Sequence, residues 1–251
     1  MKYQFRSAAF SDIGPRKEVN QDSWFSAEQT ADGFFAGLYA VADGVSGSFH
    51  GEIASRFCVE AINAWWRDTF PSLEYKRYKI IPSITELIIG INSDVCQKKT
   101  TEGGRTSSTL TLLLLLNDEW FTFNVGDSRI YRLTRGLAGR FDQITEDHSC
   151  LVEREYNGEK YLKSVLTSCV GGRNAFKYSY SSGELRRGDR FLLCSDGVYK
   201  TQSAEQIKKA LRMKKATPEA VSKMLIEDAL SNGETDNITA VTVFVDGQRG
   251  Q

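Results

Sequence analysis

Short apolar runs bounded by turn-forming residues recur along this chain and predict a structure rich in β-strands. The runs occupy positions 3–10, 34–42, 110–116, 119–125, 128–133, 190–194 and 239–245. The run from 110 to 116 is apolar apart from Thr111, which is typical of a strand buried on both faces. Asn117 and Asp118 separate it from the next run and predict a tight hairpin turn.

Four further segments have the spacing of amphipathic helices and fall into two pairs. The first helix is predicted to begin near Gly51, with apolar residues at 53, 57, 61 and 65, and to end at Pro71. Candidate caps open the other three helices, at Ser83, Ser203 and Thr217. Ser83 and Ser203 are each followed three residues later by Glu or Gln, which is the capping-box pattern.

The order of these elements predicts an α+β fold. Strands come first, then a helix pair, then more strands, a second helix pair and a last strand. This order suits antiparallel sheets covered by paired helices, whereas a parallel sheet would need strands and helices that alternate. Because no repeat or flexible linker interrupts the pattern, residues 1–251 are expected to form a single domain.

Composition narrows the class of partner. Hydrophobic residues make up 41% and charged residues 25% of the chain, as is ordinary for a globular protein. Lys plus Arg and Asp plus Glu each total 32, and this balance argues against a nucleic-acid partner. The basic residues at 208, 209, 212, 214 and 215 fit the exposed side of a helix.

The chain also lacks the features of membrane, secreted and zinc-binding proteins. Its most apolar run is much shorter than the about 20 residues that cross a bilayer as a helix, and positions 1–10 do not form a signal region. Its five cysteines have no C-x-x-C spacing and only two histidines accompany them, which argues against a zinc site. We therefore expect a cytoplasmic monomer without a membrane partner.

Aspartates at the ends of apolar runs are the candidate functional residues. Asp43 and Asp196 each follow an apolar run and precede a glycine, while Asp127 follows the run that ends at Gly126. Asp22 and Asp236 lie in polar segments. Carboxylates placed where buried strands emerge could bind a hard metal ion, but Asp-Gly pairs are also common turns. The pattern alone leaves open whether these residues meet in space.

The motifs around these aspartates resemble the metal-dependent protein phosphatases of type 2C, in particular the bacterial branch. Matching segments follow one another in the family's order at 14–22, 41–47, 51–55, 108–109, 124–131, 145–149, 166–167, 193–197 and 236–239. They cover nearly the whole chain, which makes the resemblance specific. It implies a four-layer α-β-β-α sandwich of two antiparallel sheets flanked by helix pairs, with metals at one end.

The resemblance also implies roles for individual residues. Asp43 would bridge two metal ions, the carbonyl of Gly44 would help to hold one of them, and Asp196 and Asp236 would be further ligands. Asp22, the fourth member of this catalytic set, would act through a bound water, with Asn237 supporting the ligands from behind. Arg16 would grip the substrate phosphate. Asp127, with Asp196, would hold a third and weaker metal, as in bacterial relatives.

These expectations define a reaction. Carboxylate and carbonyl oxygens suit Mn²⁺ or Mg²⁺, and two such ions about 4 Å apart convert a shared water to hydroxide and neutralise phosphate charge. We expect direct attack of that hydroxide on phosphoserine or phosphothreonine in proteins, without a covalent enzyme intermediate. The resemblance suggests proteins phosphorylated by a bacterial Ser/Thr kinase as substrates.

Two departures from the family leave alternatives open. Val45 stands where many eukaryotic relatives have a histidine, and the stretch between Ser149 and Leu166, which matches a substrate-side flap, is short. A phosphatase acting on a small phosphorylated metabolite would have the same metal residues. A non-catalytic binding module on the same fold is the other alternative, although no ligand aspartate is lost.

Overall fold

The computed structural model describes residues 3–31, 33–45, 50–98, 104–136, 139–156, 159–172 and 176–247. These residues form two five-stranded antiparallel sheets and a separate two-stranded hairpin. In spatial order the first sheet contains β1 (Tyr3–Asp12), β12 (Ile238–Gly247), β11 (Arg190–Cys194), β6 (Arg129–Leu133) and β7 (Phe141–Gln143). The second contains β10 (Ser179–Glu184), β5 (Glu119–Val125), β4 (Leu110–Leu116), β3 (Phe34–Asp43) and β2 (Asp22–Ala31).

The helices form two groups, one on each side of the paired sheets. The first group is α1 (Gly51–Ala64) and α2 (Arg77–Gln97), and the second is α3 (Asp196–Tyr199), α4 (Ala204–Arg212) and α5 (Pro218–Ser231). No helix within the described ranges is both long and apolar enough to span a membrane.

Three hydrophobic clusters hold four layers together. One lies between α1, α2 and the outer face of the second sheet, and another lies between the two sheets. The third packs α3, α4 and α5 on the outer face of the first sheet. Strand β4 is buried along its whole length because it faces the first cluster on one side and the second on the other. The predicted four-layer α-β-β-α sandwich is confirmed.

The sequence pattern located the central strands and the edge strand β1 but missed the other edge strands of the two sheets. Strands β2, β7 and β10 each lie at an edge of a sheet, and the residues of β2 and β10 mix polar and apolar types on both faces. Such strands carry little of the apolar alternation that marks a strand in sequence. The hairpin of β8 (Ser149–Tyr156) and β9 (Glu159–Leu166) was missed for the same reason, since it is largely exposed.

The predicted cap at Ser83 is wrong. Helix α2 begins at Arg77 and continues through Pro82, because the earlier start buries Ile80 completely. The Ser83 hydroxyl accepts a hydrogen bond from the indole N–H of Trp65 at 2.9 Å instead. The other two predicted caps are confirmed: Ser203 forms a full capping box, and Thr217 caps the helix that begins at Pro218.

Candidate metal centre

The sandwich brings the aspartates of the sequence pattern to one end. Asp22 and Asp43 lie directly opposite each other in the β2–β3 pair. Asp196 follows the end of β11 and Asp236 precedes the start of β12. Because β11 and β12 are antiparallel neighbours, both aspartates lie at the same end of the sheet. Four of the five carboxylates, those of Asp43, Asp127, Asp196 and Asp236, line one cleft of about 630 Å³.

Asp22 is buried beneath this cleft. Ser195 donates a hydrogen bond from Oγ to Oδ2 of Asp22 at 2.7 Å, and Ser195 itself accepts from the backbone N–H of Thr239. Oδ1 of Asp22 has no hydrogen-bond partner among the described residues. Burial is the main cause that raises the pKa of Asp22, to about 6. A buried carboxylate oxygen without a donor is suited to accept one from a water or ligand in the cleft.

The backbone of Asp43 is fixed by the segment that leads into β4. Its N–H donates to Oγ1 of Thr109 at 2.9 Å, and its carbonyl accepts from the N–H of Thr109 and the hydroxyl of Ser108. Burial, followed by the negative charges of neighbouring aspartates beginning with Asp22, raises the pKa of Asp43. A nearby positive charge, such as a metal ion, would therefore stabilise the ionised form of this carboxylate.

Gly44 must be a glycine because the chain passes too close to its neighbours for a side chain. Its N–H donates to the carbonyl of Gln21 at 3.0 Å. A Cβ at this position would lie 2.5 Å from the carbonyl carbon of Gly51, at the start of α1. The end of β3 therefore packs directly on a helix. Residues 46 and 47 of the matched motif lie outside the described residues.

Two of the cleft carboxylates, those of Asp196 and Asp236, are each paired with a lysine. Lys200 places Nζ 2.5 Å from Oδ2 of Asp196, and Lys17 places Nζ 2.7 Å from Oδ1 of Asp236. Burial raises the pKa of Asp196. Burial would also raise the pKa of Asp236, but the hydrogen bonds from Lys17 and from the backbone of Asn237, together with the charges of Lys17 and Lys200, outweigh it and the pKa is lowered.

Lys17 contacts a carboxylate that lines the cleft, whereas its neighbour Arg16 is exposed. Neither Arg16 nor Lys17 is among the described residues that line the cleft, so the phosphate contact expected of Arg16 stays a prediction. Lys17 follows it in the chain and reaches Asp236. The sequence offered two adjacent cations, and only the path of the loop decides which one points inwards.

Asn237 holds that loop in place. It accepts from the backbone N–H of Gln21 at 2.9 Å and donates to the carbonyls of Ile13 and Val19 at 2.7 and 3.3 Å. These bonds connect the residue beside Asp236 to both ends of the segment that carries Lys17. Asn237 thus anchors the loop that carries Lys17, and its support of the metal ligands stays a prediction.

Asp127 lies in the short connection between β5 and β6. Its carbonyl accepts a hydrogen bond from the hydroxyl of Tyr199 at 2.8 Å. Burial, with a smaller effect from the charge of Asp196, raises the pKa of Asp127 to about 6. The side chain of Asp127 faces the same cleft as Asp196 and Lys200.

Several cleft residues were not identified from the sequence. Lys200 also lines the cleft, and the β8–β9 hairpin contributes Arg154, Tyr161 and Lys163. The spacing of Lys200 four residues after Asp196 is a usable signal, because residues so spaced meet on one side of a helical turn. The hairpin residues had no such signal, since they lie in exposed strands that sequence periodicity did not reveal.

The donors in this cleft fit a hard divalent cation. The negative charge of the cleft comes from carboxylates. One buried carboxylate oxygen, Oδ1 of Asp22, accepts no hydrogen bond from the described residues. Across the described ranges, no three His, Cys, Asp or Glu side chains are close enough to bind one ion as they stand. Asp196 and Asp236 are each turned towards a lysine. Oxygen-rich, acidic sites of this type favour Mg²⁺ or Mn²⁺ over softer metals.

Comparison with known proteins identifies similar chains. The family model described as protein phosphatase 2C matches residues 15–244. The chain is 30% identical to the serine/threonine protein phosphatase PstP of Mycobacterium tuberculosis over 98% of its own length and 46% of that relative, so it spans about half of PstP. It is 27% identical to the serine/threonine phosphatase stp of Listeria monocytogenes, over 82% of this chain and 83% of that one.

A solved structure extends the similarity to the fold. The catalytic domain of PstP, in complex with two manganese ions, superposes with a TM-score of 0.72 at 26% identity. The match covers 98% of this chain and all of that one. The similarity therefore includes both sheets and both helix groups.

Proposed function

This chain belongs to the protein phosphatase 2C family, and we propose on that premise that it is a metal-dependent phosphatase of phosphoserine and phosphothreonine in proteins. The observation that carries the proposal is the meeting of Asp43, Asp127, Asp196 and Asp236 in one cleft, above the buried Asp22. A cleft with this charge suits metal-assisted hydrolysis of an anionic substrate.

The proposed cofactor is a pair of Mn²⁺ or Mg²⁺ ions. Asp43, the Gly44 carbonyl, Asp196 and Asp236 would hold them, and the relative PstP contains two manganese ions in its solved structure. Such ions, when bound, supply positive charge to the phosphate and lower the pKa of water. Asp127 is the remaining carboxylate of the cleft, at the position where the resemblance expects a third, weaker ion.

The chain's own residues would orient the reactants. Asp22, held by Ser195 through Oδ2, has Oδ1 available to accept a hydrogen bond from the attacking water. Lys17, held at the cleft by its contact with Asp236 and by the loop that Asn237 anchors, would bind a phosphate oxygen. We assign this role to Lys17 in place of Arg16. The mechanism requires no side-chain nucleophile, and a trapped phosphoenzyme would contradict it.

The proposal includes the wider setting of the reaction. We propose that residues 1–251 act as one catalytic domain and as a monomer, in the cytoplasm. Its substrates would be proteins phosphorylated by a Ser/Thr kinase. Neither a nucleic acid nor a membrane is part of the proposed function.

Hydrolysis assays with purified protein test this function. We expect Mn²⁺-dependent hydrolysis of p-nitrophenyl phosphate and of a phosphothreonine peptide, with loss of both activities in EDTA and in Asp196→Asn. Faster turnover of sugar phosphates than of the peptide would favour a metabolite phosphatase instead. Folded protein without activity in any divalent metal would contradict the proposal and support a binding module.

A further inference from the structure

Lys200, whose side chain is 46% exposed, lines the proposed metal cleft. It follows α3 directly, and its backbone N–H donates to the carbonyl of Asp196 at 2.9 Å, which closes one helical turn. That turn brings the Lys200 ammonium to 2.5 Å from Oδ2 of Asp196. Lys200 also lines the cleft that contains Asp43, Asp127 and Asp236. Its positive charge therefore lies where a metal ion would compete for the same oxygens.

The chain next to Lys200 is fixed to the Asp127 side of the cleft. The hydroxyl of Tyr199 donates to the Asp127 carbonyl at 2.8 Å. The guanidinium of Arg129 lies 3.5 Å from the centre of the Tyr199 ring and also donates a hydrogen bond to Asp147. Because Tyr199 is held from both sides, the short turn from Asp196 to Lys200 has little freedom to move away from Asp127.

The alternative position for Lys200, turned out to solvent, is less favourable. The side chain of Asp196 is only 17% exposed, and its charge would lose its paired cation if Lys200 left. A compact ammonium group with three donors can bridge carboxylates much as a small cation does. Asp236 already has Lys17 as its partner, so the other carboxylates that line the cleft with Lys200 are Asp43, Asp127 and Asp196.

We propose that Lys200 supplies, from the protein itself, the positive charge that a third metal ion would supply between Asp127 and Asp196. The chain would then bind two divalent ions and exclude the third. This inference rests on the proposed function, since it assumes the two-metal cleft, but it concerns the number of ions and not the activity.

The number of bound Mn²⁺ ions tests the inference. Isothermal titration and equilibrium dialysis would compare the unmodified chain, Lys200→Met and Lys208→Met. Lys208 is the matched control because it is also paired with an acidic residue one turn earlier, Glu205, and lies outside the cleft. We expect two ions in the unmodified chain and in Lys208→Met. We expect a third ion in Lys200→Met, bound roughly tenfold or more tightly than any third ion in the control.

A second substitution locates the added ion. Asp127→Asn in the Lys200→Met background should return the count to two, whereas Asp127→Asn alone should leave two ions bound. Lys200→Gln, which keeps the polar character of the side chain, should reproduce Lys200→Met, and circular dichroism would show that each variant is folded.

The outcomes separate this inference from the proposed function. Three ions in the unmodified chain, or an unchanged count and affinity in both Lys200 variants, would overturn the role of Lys200 and leave the phosphatase proposal intact. A third ion that remains after Asp127→Asn would overturn its assigned position. An unmodified chain that binds no Mn²⁺ would overturn both proposals.

Discussion

Lys17 and Arg16 are adjacent cations with different surroundings, and this difference gives a prediction at the scale of the residue. Lys17 contacts a cleft carboxylate while Arg16 is exposed. Lys17→Met should lower kcat/KM for a phosphothreonine peptide roughly tenfold or more, because a charge-assisted contact to phosphate is lost. Arg16→Met, which removes the same charge one residue away, should change it less than about twofold. Steady-state kinetics at saturating Mn²⁺ would decide, and a larger loss in Arg16→Met would restore the role that the sequence suggested.

The sequence predicted individual site residues best where backbone structure and chemistry coincide. Asp43 and Asp196 could be found because each comes at the end of an apolar run and precedes a glycine. Gly44 and Asn237 were implied by the family resemblance, and the structure gives each a physical reason, close packing on Gly51 and anchoring of a loop. The direction of a side chain within a loop, as for Arg16 and Lys17, has no periodic signal and depends on contacts distant in sequence.

At the scale of the element, the β8–β9 hairpin presents one face to the cleft. Arg154 lies directly opposite Tyr161 in the pair, and Lys163 lies two residues after Tyr161, so the three side chains share a face. Lys160 lies on the other face and is paired with Glu153. The hairpin therefore places two cations, Arg154 and Lys163, along the cleft.

The hairpin should act on extended substrates more than on small ones. Arg154→Ala combined with Lys163→Ala should lower kcat/KM for an acidic phosphopeptide several-fold, because two favourable charges are lost, and should leave p-nitrophenyl phosphate within about twofold. Lys160→Ala is the control and should affect neither substrate. An equal loss on both substrates would show that the hairpin supports the centre itself and does not select peptides.

Burial explains which elements the sequence could predict. Strands β3, β4, β5 and β11 are almost wholly buried, so their apolar runs are long and unambiguous. Strands β2, β7 and β10 and the β8–β9 hairpin are more exposed, and their composition does not separate them from loops. In α2 the capping pattern at Ser83 was misleading, because burial of Ile80 and Ile84 extends the helix through a proline.

At the scale of the whole molecule, the centre depends on contacts between distant parts of the chain. Strand β1 pairs along its whole length with β12, which joins the first and last strands of the sandwich. This pairing brings the loop with Lys17 beside Asp236. Hydrophobic periodicity predicts that these strands exist but not that they are neighbours, so the convergence of the aspartates could be expected only from the family resemblance.

The central claim is that this convergence creates a metal-dependent catalytic centre, and a joint titration tests it most directly. Mn²⁺ would be added to the unmodified chain, to Asp43→Asn and to Asp228→Asn, with bound metal and phosphothreonine-peptide hydrolysis measured in the same samples. Asp228 is an exposed aspartate of α5 and serves as the control. The account predicts that binding and activity rise together in the unmodified chain and in Asp228→Asn, and that Asp43→Asn loses both. Hydrolysis that persists in Asp43→Asn, or that does not follow the bound metal, would contradict it.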